Sequence, residues 1–181
     1  MAKLVMWNLM TLDGFVEGAN RDISWHADVW GHELERLSIE QLTAAGGLLF
    51  GRVTYELMAN HWPGASGDIA DLMNALPKYV FSRTLTAADW HNTEIFASDV
   101  ELTVARVKRD SRGDIYVFGS ADLAAQLTKT GLFDEYRIAL NPVILGGGAP
   151  LFKPGKSVKL KLLDSKPLSN GVVILRYEPV R

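Results

Sequence analysis

Short apolar runs that stop at a glycine and resume as a helical pattern recur along this chain, and that alternation constrains its fold more than any other feature. Leu48-Leu49-Phe50 runs into Gly51-Arg52-Val53-Thr54, after which Tyr55, Leu57 and Met58 mark a helix reaching about His61. Ile115 to Phe118 runs into Gly119-Ser120, and Leu123 and Leu127 then mark a helix ending near Gly131. A continuous apolar run bounded by turn residues reads as a strand covered on both faces, whereas apolar residues every three or four positions read as one face of a helix. Strands that alternate with helices imply a mostly parallel sheet with helices on both sides.

The rest of the chain fits that frame. Lys3 to Met10 reads as a buried strand, and Asp13-Gly14 turns it into a polar loop containing Gly18, Asn20 and Asp22. A helix is expected from about Asp28 to Ala45, with Trp30, Leu34 and Leu37 on its apolar face and Gly46-Gly47 ending it. Pro63, Gly64 and Gly67 precede another helix that ends near Leu76. Lys78 to Ser82 and Glu94 to Ala97 read as strands, and Val100 to Lys108 as a helix. Tyr136 to Leu140 and Val143 to Leu145 are strand-like pieces separated by Asn141-Pro142, and Gly146-Gly147-Gly148 is expected to be a bend. Val158, Leu160 and Leu162 alternate with Lys159 and Lys161, and Val172 to Tyr177 forms a return strand. Asn170-Gly171 between them signals a two-residue type I′ hairpin turn. The expected architecture is a three-layer α/β/α sandwich, a mostly parallel sheet closing in an antiparallel C-terminal hairpin, as one domain over residues 1–181.

Composition removes several chemistries. With 48% hydrophobic residues in 181, a sizeable core is available, and a net charge of -2 offers none of the cationic excess that nucleic-acid binders use. Cysteine is absent, which excludes disulfides, thiolate nucleophiles and cysteine-held metals. His26, His32, His61 and His91 are scattered without metal-ligand spacing, so no metal site is expected. No serine-nucleophile elbow, Walker A sequence or G-x-G-x-x-G is present. The N-terminal apolar stretch is interrupted by Asn8 and lacks a cleavage site, so a cytoplasmic protein that does not span the membrane is expected.

In open α/β sheets ligands collect at the carboxyl ends of the strands. Three such ends carry suggestive residues here. Gly51, Arg52 and Thr54 offer close backbone approach, a forked cation and a hydroxyl; they are also what a plain capped helix start contains. Ser82 and Arg83 repeat the hydroxyl and guanidinium beyond the next strand, where ordinary turn residues also occur. Gly119, Ser120 and Ala121 open a helix whose first amides attract anions, with Asp122 able to satisfy that dipole from within. Among the five tryptophans, Trp25 stands out because it lies in the polar loop, as a candidate wall for a flat ring.

Taken in order, the segments T-L-D-G-F-V, L-L-F-G-R-V-T-Y-E, K-Y-V-F-S-R-T-L, I-Y-V-F-G-S-A-D-L and L-F-D-E-Y-R-I-A-L-N-P-V-I-L-G-G-G-A-P-L-F resemble the dihydrofolate reductase-like superfamily. The closer likeness is to the reductase half of the riboflavin-biosynthesis deaminase-reductases and its stand-alone relatives. That resemblance implies an NADPH-dependent oxidoreductase of a small heterocyclic or ribosyl-aminopyrimidine substrate, as in 5-amino-6-(5-phosphoribosylamino)uracil reduction, and a homodimer. It implies that Gly51, Arg52 and Thr54 form a phosphate-binding turn and that Gly119, Ser120 and Ala121 cradle the pyrophosphate. Ser82 and Arg83 would meet the adenosine side, and two arginines near one adenosine would favour NADP over NAD. Asp13 matches the acidic residue of the L-D-G segment near the substrate, and is equally suited to an Asx turn before Gly14. Asp28 does not reproduce the spacing of the acid in folate reductases, which leaves dihydrofolate or pterin reduction as an alternative, beside a non-catalytic NADP-binding protein. The deaminase half of such enzymes needs a P-C-x-x-C pair, which a chain without cysteine lacks, so only the reductase half is expected.

Overall fold

The computed structural model describes residues 1–181. Its strands are β1 (Leu4–Thr11), β2 (Phe15–Glu17), β3 (Ala45–Gly51), β4 (Lys78–Phe81), β5 (Thr93–Phe96), β6 (Asp114–Phe118), β7 (Glu135–Asn141), β8 (Ala149–Pro150), β9 (Leu160–Pro167) and β10 (Val173–Pro179). Its α-helices are α1 (Trp25–Val29), α2 (His32–Ala44), α3 (Arg52–His61), α4 (Asp68–Ala75), α5 (Val100–Asp110) and α6 (Ala121–Thr130). Eight strands form the main sheet in the order β5-β4-β3-β6-β1-β7-β10-β9, and β2 pairs with β8 outside it. From β5 to β7 every pairing is parallel; β10 alone runs against its neighbours, antiparallel to both β7 and β9.

Alternation along β1 builds both cores. Val5 and Trp7 face one way, into a cluster with Leu34, Leu42, Tyr55, Met73 and Trp90; Leu4 and Met6 face the other, with Val104, Val107, Leu123 and Leu127. Helices α1 to α4 therefore cover one face and α5 and α6 the other, which is the three-layer sandwich expected. Leu4, Val5 and Met6 are completely buried, and each such side chain contributes about 1.5–3 kcal/mol by leaving water. No helix is long and apolar enough to cross a membrane.

A lysine also lies in this core. Lys78 is fully buried at the start of β4, where its Nζ donates to the carbonyls of Met73 (3.2 Å) and Asn74 (2.8 Å). It thereby satisfies the C-terminal carbonyls of α4, while the indole of Trp90 lies 4.5 Å from the ammonium.

Four local expectations are corrected. The helix expected over residues 28–45 is two helices, because Gly31 adopts an extended backbone and separates α1 from α2. Gly46 and Gly47 do not end that helix but lie inside β3: a Cβ on Gly46 would sit 2.4 Å from the Gly113 carbonyl, so the glycines serve close strand approach. Val143 to Leu145 is not a strand; the chain after β7 bends through Gly146 and Gly148, both at positive φ, before pairing as β8. In the C-terminal hairpin only Gly171 has positive φ, the Gly171 amide donates to Leu168 and the Leu168 amide to Val172. That is a longer loop with a left-handed glycine, not the type I′ turn, since Asn170 uses its side chain to bond Val29.

Candidate functional site

Parallel pairing of β3 with β6, through Leu49 opposite Val117, brings their carboxyl ends side by side. Each strand feeds a helix of ten residues, α3 and α6, so two helix N-termini open on the same edge of the sheet. The turn between β6 and α6 is left-handed twice over, at Gly119 (φ 56°) and Ser120 (φ 51°). At Gly119 a side chain is also blocked, because a Cβ would lie 3.2 Å from Thr54 Cγ2. Two reciprocal hydrogen bonds lock the turns together. The Ser120 amide donates to Thr54 Oγ1 (2.9 Å), and the Gly51 amide donates to Ser120 Oγ (3.0 Å).

The first intrahelical donor of α6 after this turn is the Ala124 amide, which leaves the amides of Ala121, Asp122 and Leu123 without helical acceptors. The amides that open α3 lie on the same edge, and helix N-termini of this kind attract anions. Gly51, Arg52, Thr54, Gly119, Ser120 and Ala121 all line one cavity of about 580 Å³. Five of its lining residues, Trp7, Trp30, Leu57, Met58 and Trp62, make its other half aromatic and apolar.

Two of the three arginines and lysines lining this cavity, Arg52 and Lys153, are held by carboxylates. Arg52 forks onto Glu56 one turn along α3 (2.9 and 3.1 Å), and Lys153 pairs with Asp122 in the first turn of α6. Lys153 and Arg21 are lining residues that the sequence reading missed. Lys153 lies 31 residues beyond Asp122, and no local motif announces either it or Arg21. His26 also lines the cavity, and burial pulls its imidazole below the usual value.

Ser82 and Arg83 lie elsewhere, in a second depression of about 830 Å³ with Ser98, Asp99, Gln126 and Thr130. Helix α6 borders both depressions. Ser82 Oγ is engaged in its own turn, accepting from the amides of Thr84 (3.2 Å) and Leu85 (2.9 Å). The two arginines expected around one adenosine thus line different depressions: Arg52 points along α3 to Glu56, and Arg83 lines the second depression.

Two expected substrate residues are not in the cavity. Trp25 is buried in the core, its ring edge-on to His26 at 4.3 Å, because α1 turns it inward from the loop. Asp13 faces the glycine bend. It accepts from Thr11 Oγ1 (2.6 Å), the Leu145 amide (3.2 Å) and the Gly146 amide (2.8 Å), and the Thr11 hydrogen bond leads the effects that hold its carboxyl below the usual value. Asp13 is thus a positioning residue for the segment that leads to β8, whose Ala149 lines the cavity. Asp28 is exposed and outside the cavity, and no group of three metal-ligating side chains occurs.

Comparison with known proteins agrees with this fold. The family model described as the RibD C-terminal domain matches residues 2–174. The uncharacterized protein YyaP of Bacillus subtilis (strain 168) is 32% identical over 97% of this chain and 94% of its own length. Among solved structures, a putative riboflavin biosynthesis protein from Shewanella sp. PV-4 superposes with a TM-score of 0.82 at 18% identity, covering 99% of both chains. Dihydrofolate reductase from Enterococcus faecalis, solved with NADP(H), gives a TM-score of 0.67 at 13% identity over 99% of this chain and 97% of that one. The family-model match over residues 2–174 and the relative that is 32% identical over nearly the whole length place this chain in the RibD C-terminal domain family, with a dihydrofolate reductase-like fold.

Proposed function

We propose that this chain is an NADPH-dependent reductase that delivers hydride to a small heterocyclic or ribosyl-aminopyrimidine substrate. The observation that carries the reading is the convergence of the α3 and α6 N-termini, cross-linked through Thr54 and Ser120, on one cavity with an apolar far half. Backbone amides at Arg52 to Thr54 and Ala121 to Leu123 would hold the cofactor's diphosphate, and Arg83 would meet a 2′-phosphate at the adenosine end. Reduced nicotinamide supplies the hydride when bound. The chain's own contribution is orientation and exclusion of water, which Trp7, Trp30 and Trp62 provide around the reacting ring.

Folate or pterin reduction is the weaker reading, because no carboxylate from α1 or α2 lines the cavity. A homodimer belongs to the same proposal, with the fully exposed edge strand β9 as the open edge, and its test is the molar mass in solution. The test of the function itself is NADPH titration followed by NADPH oxidation with the ribosyl-aminopyrimidine and with dihydrofolate. Saturable binding with turnover of the aminopyrimidine is expected. Binding without turnover on either compound supports the non-catalytic alternative, and no binding overturns the reading.

A further inference from the structure

One buried polar residue lining the cavity at the helix N-termini comes from neither α3 nor α6. Gln41 lies near the end of α2 and is 6% exposed. Its Oε1 accepts from Arg137 Nη1 at 3.0 Å. The orientation of this amide is not free, because a guanidinium has only donors and must face the oxygen. Arg137 is itself fixed, donating 2.6 Å to Glu135 and 2.8 Å to the Tyr116 hydroxyl. The Gln41 amide nitrogen is therefore turned away from Arg137, and it is buried without any partner. A buried donor left unpaired is a cost that a ligand acceptor would remove.

The surroundings restrict that ligand. Trp7, Leu42, Met58, Trp62, Ile69 and Met73 line the same cavity as Gln41, and none of them is charged. The charged lining residues, Glu17, Arg21, Arg52, Asp122 and Lys153, come from β2 and the turn after it, from the two helix N-termini, and from beyond β8. Ile23, Trp30 and Leu57 also line the cavity and keep 51%, 43% and 54% of their surface exposed, which makes the open side apolar. Arg137 is the cation at the Gln41 end and already donates to Gln41, Glu135 and Tyr116, so the group left without a partner is the amide donor, and a flat ring packed against indoles would leave one oxygen for it.

We propose that Gln41 is the specificity-determining residue of the substrate half, selecting a planar ring that presents a carbonyl oxygen, of the cyclic-amide or cyclic-enone class. This rests on the reductase reading and narrows its substrate. Gln41→Glu separates the recognition role from a structural one, since the carboxylate keeps an acceptor for Arg137 and replaces the donor. Gln41→Met removes the donor without adding charge and serves as the second variant.

The experiment measures quenching of tryptophan fluorescence by 2-methyl-1,4-naphthoquinone and by uridine 5′-phosphate, on protein saturated with NADP⁺, with NADP⁺ affinity measured separately by calorimetry. Expected is saturable binding of both ring compounds, and a loss of about tenfold or more in both Gln41 variants with NADP⁺ affinity unchanged. If NADP⁺ binds but neither ring compound does, the inference is overturned while the reductase reading stands. The inference is equally overturned if either folded variant binds the naphthoquinone as wild type does. If NADP⁺ does not bind at all, the reductase reading fails and the inference goes with it.

Discussion

Replacing Thr54 by valine removes one oxygen from the junction of β3 and β6 and tests whether that junction organises the site. Thr54 Oγ1 is the acceptor for the Ser120 amide, and Ser120 holds a left-handed backbone at φ 51° and ψ 50°. Valine keeps the branched shape but leaves the amide unpaired, which costs about 1–2 kcal/mol for a partly buried donor. In a chain of this size the loss corresponds to a fall in melting temperature of roughly 3–6 °C. The same displacement moves the first amides of α6, so NADPH affinity is expected to fall by about tenfold, the equivalent of 1.4 kcal/mol of lost preorganisation.

Ser120→Gly supplies the internal control. It removes the hydroxyl that accepts from the Gly51 amide, a loss of about 1 kcal/mol, and also removes the left-handed strain on a residue with a Cβ, a gain of about 1 kcal/mol. Its stability is therefore expected to stay near wild type. Urea unfolding and NADPH fluorescence titration read both quantities on both variants. Wild-type stability and affinity in Thr54→Val, or a larger loss in Ser120→Gly than in Thr54→Val, would refute the reasoning.

Other residues give independent tests. Glu135 is fully buried; burial would raise its carboxyl, but hydrogen bonds from Arg137, Arg176 and Lys3 bring it down to about 2. Its folded value lies below the unfolded one, so it contributes about 3 kcal/mol above pH 4.5 that is lost as pH falls towards 2. Acid unfolding of Glu135→Gln should accordingly be flatter over that window, and an unchanged acid profile would remove Glu135 from the explanation. Asp13→Ala should speed amide hydrogen exchange at Leu145 and Gly146 while leaving β1 protected, because the carboxylate accepts from both amides. Gly46→Ala would force a Cβ to within 2.4 Å of the Gly113 carbonyl, so a destabilisation of about 3 kcal/mol or more is expected in chemical denaturation.

The order of strands and helices was legible because each apolar run ends at a glycine or polar turn, and the parallel pairings then follow from the right-handed return of each helix. Recurrence of Gly51-Arg52 and Gly119-Ser120 at strand ends identified one edge of the sheet, and the structure joins those two turns through Thr54 and Ser120. What the sequence concealed were long-range purposes of local signals. Gly46-Gly47 looks like a helix terminator and is a close contact between β3 and the turn at Gly113. Asn170-Gly171 looks like a two-residue turn, yet the Asn170 amide is drawn to the Val29 carbonyl 141 positions away. Trp25 reads as a loop residue because nothing local shows that α1 packs it into the core. Gln41 did carry a signal: it shares the buried face of α2 with Leu34, Ser38 and Leu42, where a glutamine is out of place unless something meets it.

The central claim is that a nicotinamide cofactor lies across the carboxyl ends of β3, β6 and β4, and a structure of the protein with NADP⁺ bound tests it most directly. The account expects the diphosphate between the amides of Arg52 to Thr54 and Ala121 to Leu123, the nicotinamide in the apolar half beside Trp7, and the adenosine phosphate within reach of Arg83. Cofactor bound away from both helix N-termini, or protein crystallised at saturating NADP⁺ with that cleft empty, would contradict it.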